Sequence, residues 1–376
     1  MTHALAIPSL STSALPRPAS SRLFYLDTLR IVLTILVILH HVAQAYGPTG
    51  GSWPVQEPVR AAILGPFFMV NRSFFMSLFF MISGYFMVSA YDRHGFGAFI
   101  RSRAVRLGIP TLLFGCLMML VQALSGGFTR WDNAFNAGHL WYLEHVLIFS
   151  VVYALWRRFR DTGRRTLPAA TSVKPPSLQV IIPVMVLIAA LSFAIRLWSP
   201  IDRWMNLLGF IRVAFADVPR DLSFFIFGAL AFRRRWFESY PTRKGIAWLA
   251  VGLTAAAAWY AWVLLIPHPA STRNTLAYAI TFPVWEELLC FGMSIGLLVV
   301  FRQVANSQGR FGKMLAASQY SAYFWQLFFI LPIQDVFLAL ALSPIVKFIA
   351  VAFIVVPLIF FWSWLMLKLR VVRAVL

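Results

Sequence analysis

One stretch of the chain, YLDTLRIVLTILVILHHVAQAYG (Tyr25 to Gly47), sets ionisable and hydrogen-bonding side chains into an aliphatic run. Place it on a helix with Arg30 at zero and about 100° per residue. Thr34 then lies near ~+40°, His41 near ~+20°, Gln44 near ~−40° and Asp27 near ~+60°. One polar face carries all five, and His40 falls off it at about −80°. Eleven residues at ~1.5 Å each put His41 about 16 Å along the axis from Arg30. A guanidinium near one end and an imidazole deeper in suit an anionic cofactor whose reactive end is delivered to a general base. The structural alternative is an interfacial Asp27–Arg30 ion pair, with His41 as a hydrogen-bonded contact between helices.

The elements that position these groups follow from composition. The chain has 376 residues, 60% hydrophobic and 12% charged, with a mean hydropathy of +0.74. Soluble domains run near ~25% charged, so a soluble enzyme is excluded and an integral membrane protein is expected. Helices that cross lipid need about 20 mainly apolar residues. Ten such runs can be read, at roughly 24–46, 66–90, 107–125, 140–157, 179–197, 218–232, 245–266, 278–301, 313–333 and 345–367. The lead-in AAILGPFF reads as a separate half-helix, and LLGFIRVAF as an interfacial or re-entrant piece. The expected fold is an all-α polytopic bundle: a flexible tail over 1–22, then one transmembrane domain over 23–376. The tail is rich in Ser, Ala and Pro and lacks the apolar core of a signal peptide.

Lys and Arg set the orientation. With the N-terminus inside, 23 of the 33 fall on inner segments and 9 on outer ones, leaving Arg30 within the first helix. Both termini are therefore expected in the cytoplasm. The net charge of +20 is then a topology signal, with anionic lipid headgroups as counter-charge rather than nucleic acid. Cys116 and Cys290 fall in apolar runs and read as core residues, and no spacing suggests a metal site.

On this topology Glu144, Glu286 and Glu287 lie near the depth of His41. One of them orients His41 or holds an acceptor hydroxyl; as structural groups they would pair with Arg212, Arg220 or Arg273. His139, Trp141 and Trp285 line the same mouth, or belong to the interfacial aromatic belt.

Further motifs follow in order: FFMISGYF (Phe79 to Phe86), RSRAVRLGIP (Arg101 to Pro110), HLWYL (His139 to Leu143) and FFIFGALAFRRR (Phe224 to Arg235). With LDTLR and the Arg30-x10-His41 spacing, the chain resembles the acyltransferase family 3 membrane proteins. Within them it looks most like the branch holding the glucan succinyltransferase of periplasmic glucan synthesis. The resemblance implies a multi-pass protein of the bacterial inner membrane that transfers an acyl group, acetyl or succinyl, from cytoplasmic acyl-CoA. The acceptor would be a hydroxyl of a glycan or other molecule on the outer side. It makes His41 and Arg30 the catalytic pair. His41 acts as base or carries the acyl group itself, and Arg30 holds the oxyanion or the thioester carbonyl. It also maps an Arg-x-x-Arg motif onto Arg103 and Arg106. There guanidinium forks suit CoA phosphates, although positive-inside anchoring also accounts for arginines at that place. The chain departs from the family at Gln326, within ASQYSAYFWQLFF, where members often carry a histidine. Gln326 retains hydrogen-bonding capacity toward substrate. The alternative function is a transporter or flippase for an anionic or carbohydrate-linked substrate, which would not require both arginine sets.

Overall fold

The computed structural model describes residues 23–48, 53–124, 135, 137–160, 173–201, 203–266, 272 and 275–376. The expected tail over 1–22 and most of the loop over 158–178 lie outside them. The helices run in order α1 (Phe24–Tyr46), α2 (Leu64–Arg72), α3 (Phe75–Arg103), α4 (Ile109–Leu124), α5 (Trp141–Arg160), α6 (Leu178–Arg196) and α7 (Val218–Arg234). They continue with α8 (Trp236–Ser239), α9 (Thr242–Leu265), α10 (Leu276–Val304), α11 (Arg310–Leu338), α12 (Pro344–Met366) and α13 (Arg370–Val375). Eight stretches of the described residues are long and apolar enough to cross a membrane. One of these, Leu64–Val121, is a succession of helices in which a π-helical turn over Ala104–Gly108 joins α3 to α4. At 17 residues α7 is shorter than these.

Apolar side chains such as Leu112, Leu113, Val186 and Phe353 face outward, as a bilayer solvent requires. Helices satisfy their own backbone groups, which lipid cannot do. Between helices, small residues permit close approach. A Cβ added at Gly84 would strike the backbone of Phe225, and one at Gly228 the backbone of Met81, so α3 and α7 pack almost backbone to backbone. One end of the bundle gathers Arg101, Arg103, Arg106, Arg233 to Arg235, Arg243, Lys244, Arg302 and Arg310 at helix termini. It is called the basic end below, and the opposite end the far end.

Three expectations change on the structure. The run at 66–90 divides as α2 and α3, confirming the half-helix, but α3 continues to Arg103. It does so across a break at Gly95, whose φ of 71° suits a residue without Cβ. The LLGFIRVAF segment contributes to an antiparallel hairpin, β1 (Met205–Leu207) with β2 (Ile211–Val213), Met205 opposite Val213. Leu208 and Gly209 turn it with positive φ values of 56° and 81°. Cys290 is buried as expected, whereas Cys116 is exposed on α4.

Candidate active site

The polar face of α1 opens onto two chambers. Toward the far end, a cavity of about 160 Å³ is lined by His40, His41 and Gln44 of α1, by Arg72 at the end of α2, and by His139, Trp141 and Trp204. Asp217, Arg220 and Asp221 complete it from the start of α7. Toward the basic end, a smaller one of about 40 Å³ is lined by Arg30, Thr34, Phe79, Tyr142, Gln319 and Tyr320. Met76 and Tyr323 line both, so they form the partition between Arg30 and His41. Tyr320 in the smaller chamber also donates its hydroxyl to the carbonyl of Arg106. That bond ties the Arg30 chamber to the π-helical turn that carries Arg106 and follows Arg103 at the end of α3. Arg106 is exposed; Arg103 is half-buried, its guanidinium 5.1 Å from the Phe99 ring.

Helix α11 sets the imidazole. His41 Nδ1 lies 3.0 Å from Gln326 Oε1. Gln326 Nε2 donates to the Tyr323 carbonyl at 3.0 Å, which fixes the amide with its oxygen toward His41. An amide oxygen only accepts, so Nδ1 carries the proton and Nε2 keeps its lone pair. Eight residues on, Gln334 accepts from Trp53 Nε1 at 2.7 Å and donates to the Val42 carbonyl at 3.0 Å. This holds the Trp53 ring parallel to His41, with centroids 5.5 Å apart and planes at 11°. His139 Nε2 donates to the same Tyr323 carbonyl at 2.9 Å, with its ring centroid 6.1 Å from that of His41. His40, expected off the stripe, nevertheless lines the same chamber as His41; it is buried and stacks on Phe68 at 4.0 Å.

The carboxylates lie elsewhere. Glu144 accepts from the backbone N–H of Arg212 at 3.0 Å. Glu286 pairs with Arg196 and, at 3.4 Å, with Arg220. Glu287 is buried beside it and makes no ion pair among the described residues. None of the three lines the His41 chamber. The orienting role expected of a carboxylate is therefore filled by Gln326, which was expected to contact substrate. Of the expected ion pairs, that with Arg220 is present and Arg196 is added; Glu144 meets Arg212 through its backbone N–H, and Arg273 lies outside the described residues. Trp285 is also away from the mouth: its Nε1 donates to the Ala255 carbonyl, and it stacks on Trp259 in an aromatic cluster of α9 and α10.

A charge cluster adjoins the His41 chamber. Asp217 bridges Arg72 at 2.9 Å and Arg220 at 3.1 Å. Ser77 donates to Asp221 at 2.6 Å and accepts from Arg220 Nε at 3.1 Å. Burial opposes the charge on Asp217, in the turn ahead of α7. Even so, Arg72, Arg220 and Arg196 hold its carboxyl well below the usual carboxylate range.

The sequence pattern alone passes over Tyr323, Gln334 and Trp53, reads Arg72 only as a charge of the outer loops, and offers Arg220 as a partner for a glutamate but not as part of the His41 chamber. A signal for α11 was present. Gln319, Tyr323, Gln326 and Gln334 fall within about 80° of one another on a helical wheel, a polar stripe matching that of α1. Trp53 and Arg72 carry no such periodicity, since they come from a connecting segment and a helix end.

No cluster of ligands able to hold a metal is present among the described residues. Fold and site define a polytopic helical membrane protein whose polar interior is split into two chambers around one imidazole. The family of the acyltransferase domain matches residues 23–368, nearly the whole chain, and the chain belongs to that family. It is thus a membrane acyltransferase. No curated protein and no solved structure matches it.

Proposed function

We propose that the protein moves an acetyl or succinyl group from acyl-CoA, taken up at a cytoplasmic basic end, to a carbohydrate hydroxyl presented at the far end. The observation that supports this most is the imidazole itself. His41 has Nδ1 committed to Gln326 and Nε2 left as a base in a cavity walled by Trp141 and Trp204. Aromatic faces with hydrogen-bonding carboxylates and guanidiniums suit a polyol. The arginines of that cavity are matched by Asp217 and Asp221, which favours a neutral acceptor over an anionic one.

In the proposed step the acceptor hydroxyl gives its proton to His41 Nε2 while its oxygen bonds to the thioester carbonyl carbon. The C–S bond then breaks, and the leaving thiolate takes the proton back from the imidazolium. About 16 Å along α1 separates Arg30 from His41, and Met76 and Tyr323 stand between them. Arg30 therefore serves the donor behind the reacting carbonyl rather than the oxyanion. Arg103 and Arg106 hold the CoA phosphates at the basic end, and the smaller chamber takes the pantetheine arm once Met76 and Tyr323 part.

The test uses the purified protein in liposomes, supplied with acetyl-CoA or succinyl-CoA and an oligosaccharide. Acyl-oligosaccharide by mass spectrometry, with stoichiometric CoA thiol, supports the reading. Thiol release that is unchanged in His41→Ala, or product that never forms with either donor, overturns it.

A further inference from the structure

A third cavity, about 260 Å³, lies among α3, α6, α7, α8 and α10, away from His41. Its wall is wholly apolar, built largely from Met81, Phe224, Phe227, Phe291 and Leu298. Buried water needs two to four polar partners, so water does not fill it. The mouth is lateral: Val180 on α6 and Leu230 on α7 line the cavity and are also exposed on the outside of the bundle. Trp236, Phe237 and Tyr240 line it from the basic end. These residues are tied down rather than loosely packed. Arg302 donates to the carbonyls of Phe237 and Glu238, each at 2.9 Å, and of Tyr240 at 2.6 Å. Trp248 Nε1 donates to the Tyr240 hydroxyl at 3.0 Å.

The rim is cationic. The Arg234 guanidinium stands 5.4 Å from the centroid of Trp236, one of the lining rings. The backbone N–H of Val173 donates to the Arg234 carbonyl at 3.3 Å, which brings Lys174 alongside. Both side chains are exposed, and neither joins an ion pair among the described residues, whereas Arg235 is paired with Glu238 at 3.6 Å. An apolar pocket open sideways to lipid, with two uncompensated cations at its interfacial edge, has the layout of a phospholipid. We propose that it binds an anionic phospholipid, with acyl chain in the cavity and phosphate headgroup on Arg234 and Lys174. A neutral lipid would account for the pocket but not for the rim. This site is independent of the transfer chemistry.

The experiment uses full-length protein in phosphatidylcholine nanodiscs doped with a phosphatidylglycerol carrying a photoreactive group in its tail. A phosphatidylcholine probe of the same tail serves as control, and labelled peptides are mapped by mass spectrometry. The anionic probe should label around Val180, Val184 and Leu230 above the level at Phe353, a lipid-facing residue of α12. Replacing both cations, Lys174→Glu with Arg234→Glu, should lower that labelling by roughly 30-fold or more. Those side chains are exposed, and an unchanged melting temperature shows that the variant is folded. Val184→Trp, which fills the cavity, should lower labelling without altering the rim. Equal labelling by the two probes overturns the proposal, as does labelling no greater around Val180 than at Phe353.

Discussion

Two polar regions meet at the far end of the bundle, and they are built on opposite principles. The charge cluster joins Arg72, Arg196 and Arg220 to Asp217 and Glu286, so each of these ions has an opposite charge within reach. The His41 site uses neutral groups, an imidazole held by a glutamine amide, and leaves one ring nitrogen uncommitted. Charges inside a membrane are by default functional. Here mutual neutralisation gives the ions a structural task, clamping α2, α6, α7 and α10 together. The less charged region retains chemical capacity. In a low-dielectric interior, an unspent lone pair is therefore a better guide to chemistry than a count of charges.

Disabling each region should separate these roles. His41→Ala removes the base and should lower transfer by ~10²–10⁴, while the melting temperature in detergent stays near wild type. Retained activity in that variant would exclude His41 as the base. Arg220→Ala should act first on stability and, because Arg220 also lines the His41 chamber, should raise the acceptor KM more than it lowers kcat. It leaves Glu286 with one partner fewer and weakens the hold on Asp217; breaking a buried pair typically costs 3–5 kcal/mol. Denaturant unfolding should show the loss, and an unaltered midpoint would mean that the cluster is not the clamp described.

A second comparison sets the two ends against each other. If Arg106 contacts a CoA phosphate, Arg106→Ala should raise the apparent KM for acyl-CoA and leave the acceptor KM unchanged. A charged hydrogen bond of about 1.5–3 kcal/mol corresponds to roughly 10- to 100-fold. Arg106→Lys should recover only part of this, because an ammonium lacks the bidentate fork. Full rescue by Lys, or donor kinetics unmoved in both variants, would leave Arg106 with anchoring alone.

Much of the framework was legible in the sequence, because a bilayer imposes length and hydrophobicity on each span. Helix α1 begins and ends where its apolar run does, and its polar face does carry Arg30, Thr34, His41 and Gln44 into the chambers. What could not be read depends on tertiary contacts between distant segments. Gln326 reaches His41 across 285 positions, and Trp53 is held over it from a connecting segment. Which of their two readings the glutamates follow was not legible for a related reason. Depth along a helix can be read from sequence spacing, but rotation toward a cavity or toward an arginine of another helix is set by packing.

The smallest expected effect sharpens the contrast most, because it concerns hydrogen bonding without charge. Gln326→Leu keeps the volume near native and removes the acceptor for Nδ1–H. His41 then loses its fixed tautomer and part of its orientation, yet remains present. A net hydrogen bond of about 0.5–1.5 kcal/mol makes the expected loss in kcat roughly 2- to 12-fold, with KM for donor and acceptor little changed. Gln326→Glu restores an acceptor on Nδ1 and adds a negative charge in place of the amide donor to the Tyr323 carbonyl. The groups facing His41 include His40 on α1, Arg72 on α2, His139 before α5, and Asp217, Arg220 and Asp221 at α7. A carboxylate added on the α11 side favours the imidazolium, so the acid limb of kcat/KM should move to higher pH. A purely structural glutamine makes a different forecast, in which the Leu variant keeps full kcat and the Glu variant loses stability with no movement of the profile. Nitrogen-15 spectra of histidine-labelled protein, with His41 assigned by its loss in His41→Ala, read the tautomer directly and without any substrate. A proton on Nε2 in the wild-type spectrum would remove the basis for the glutamine's positioning role, even if transfer itself were observed.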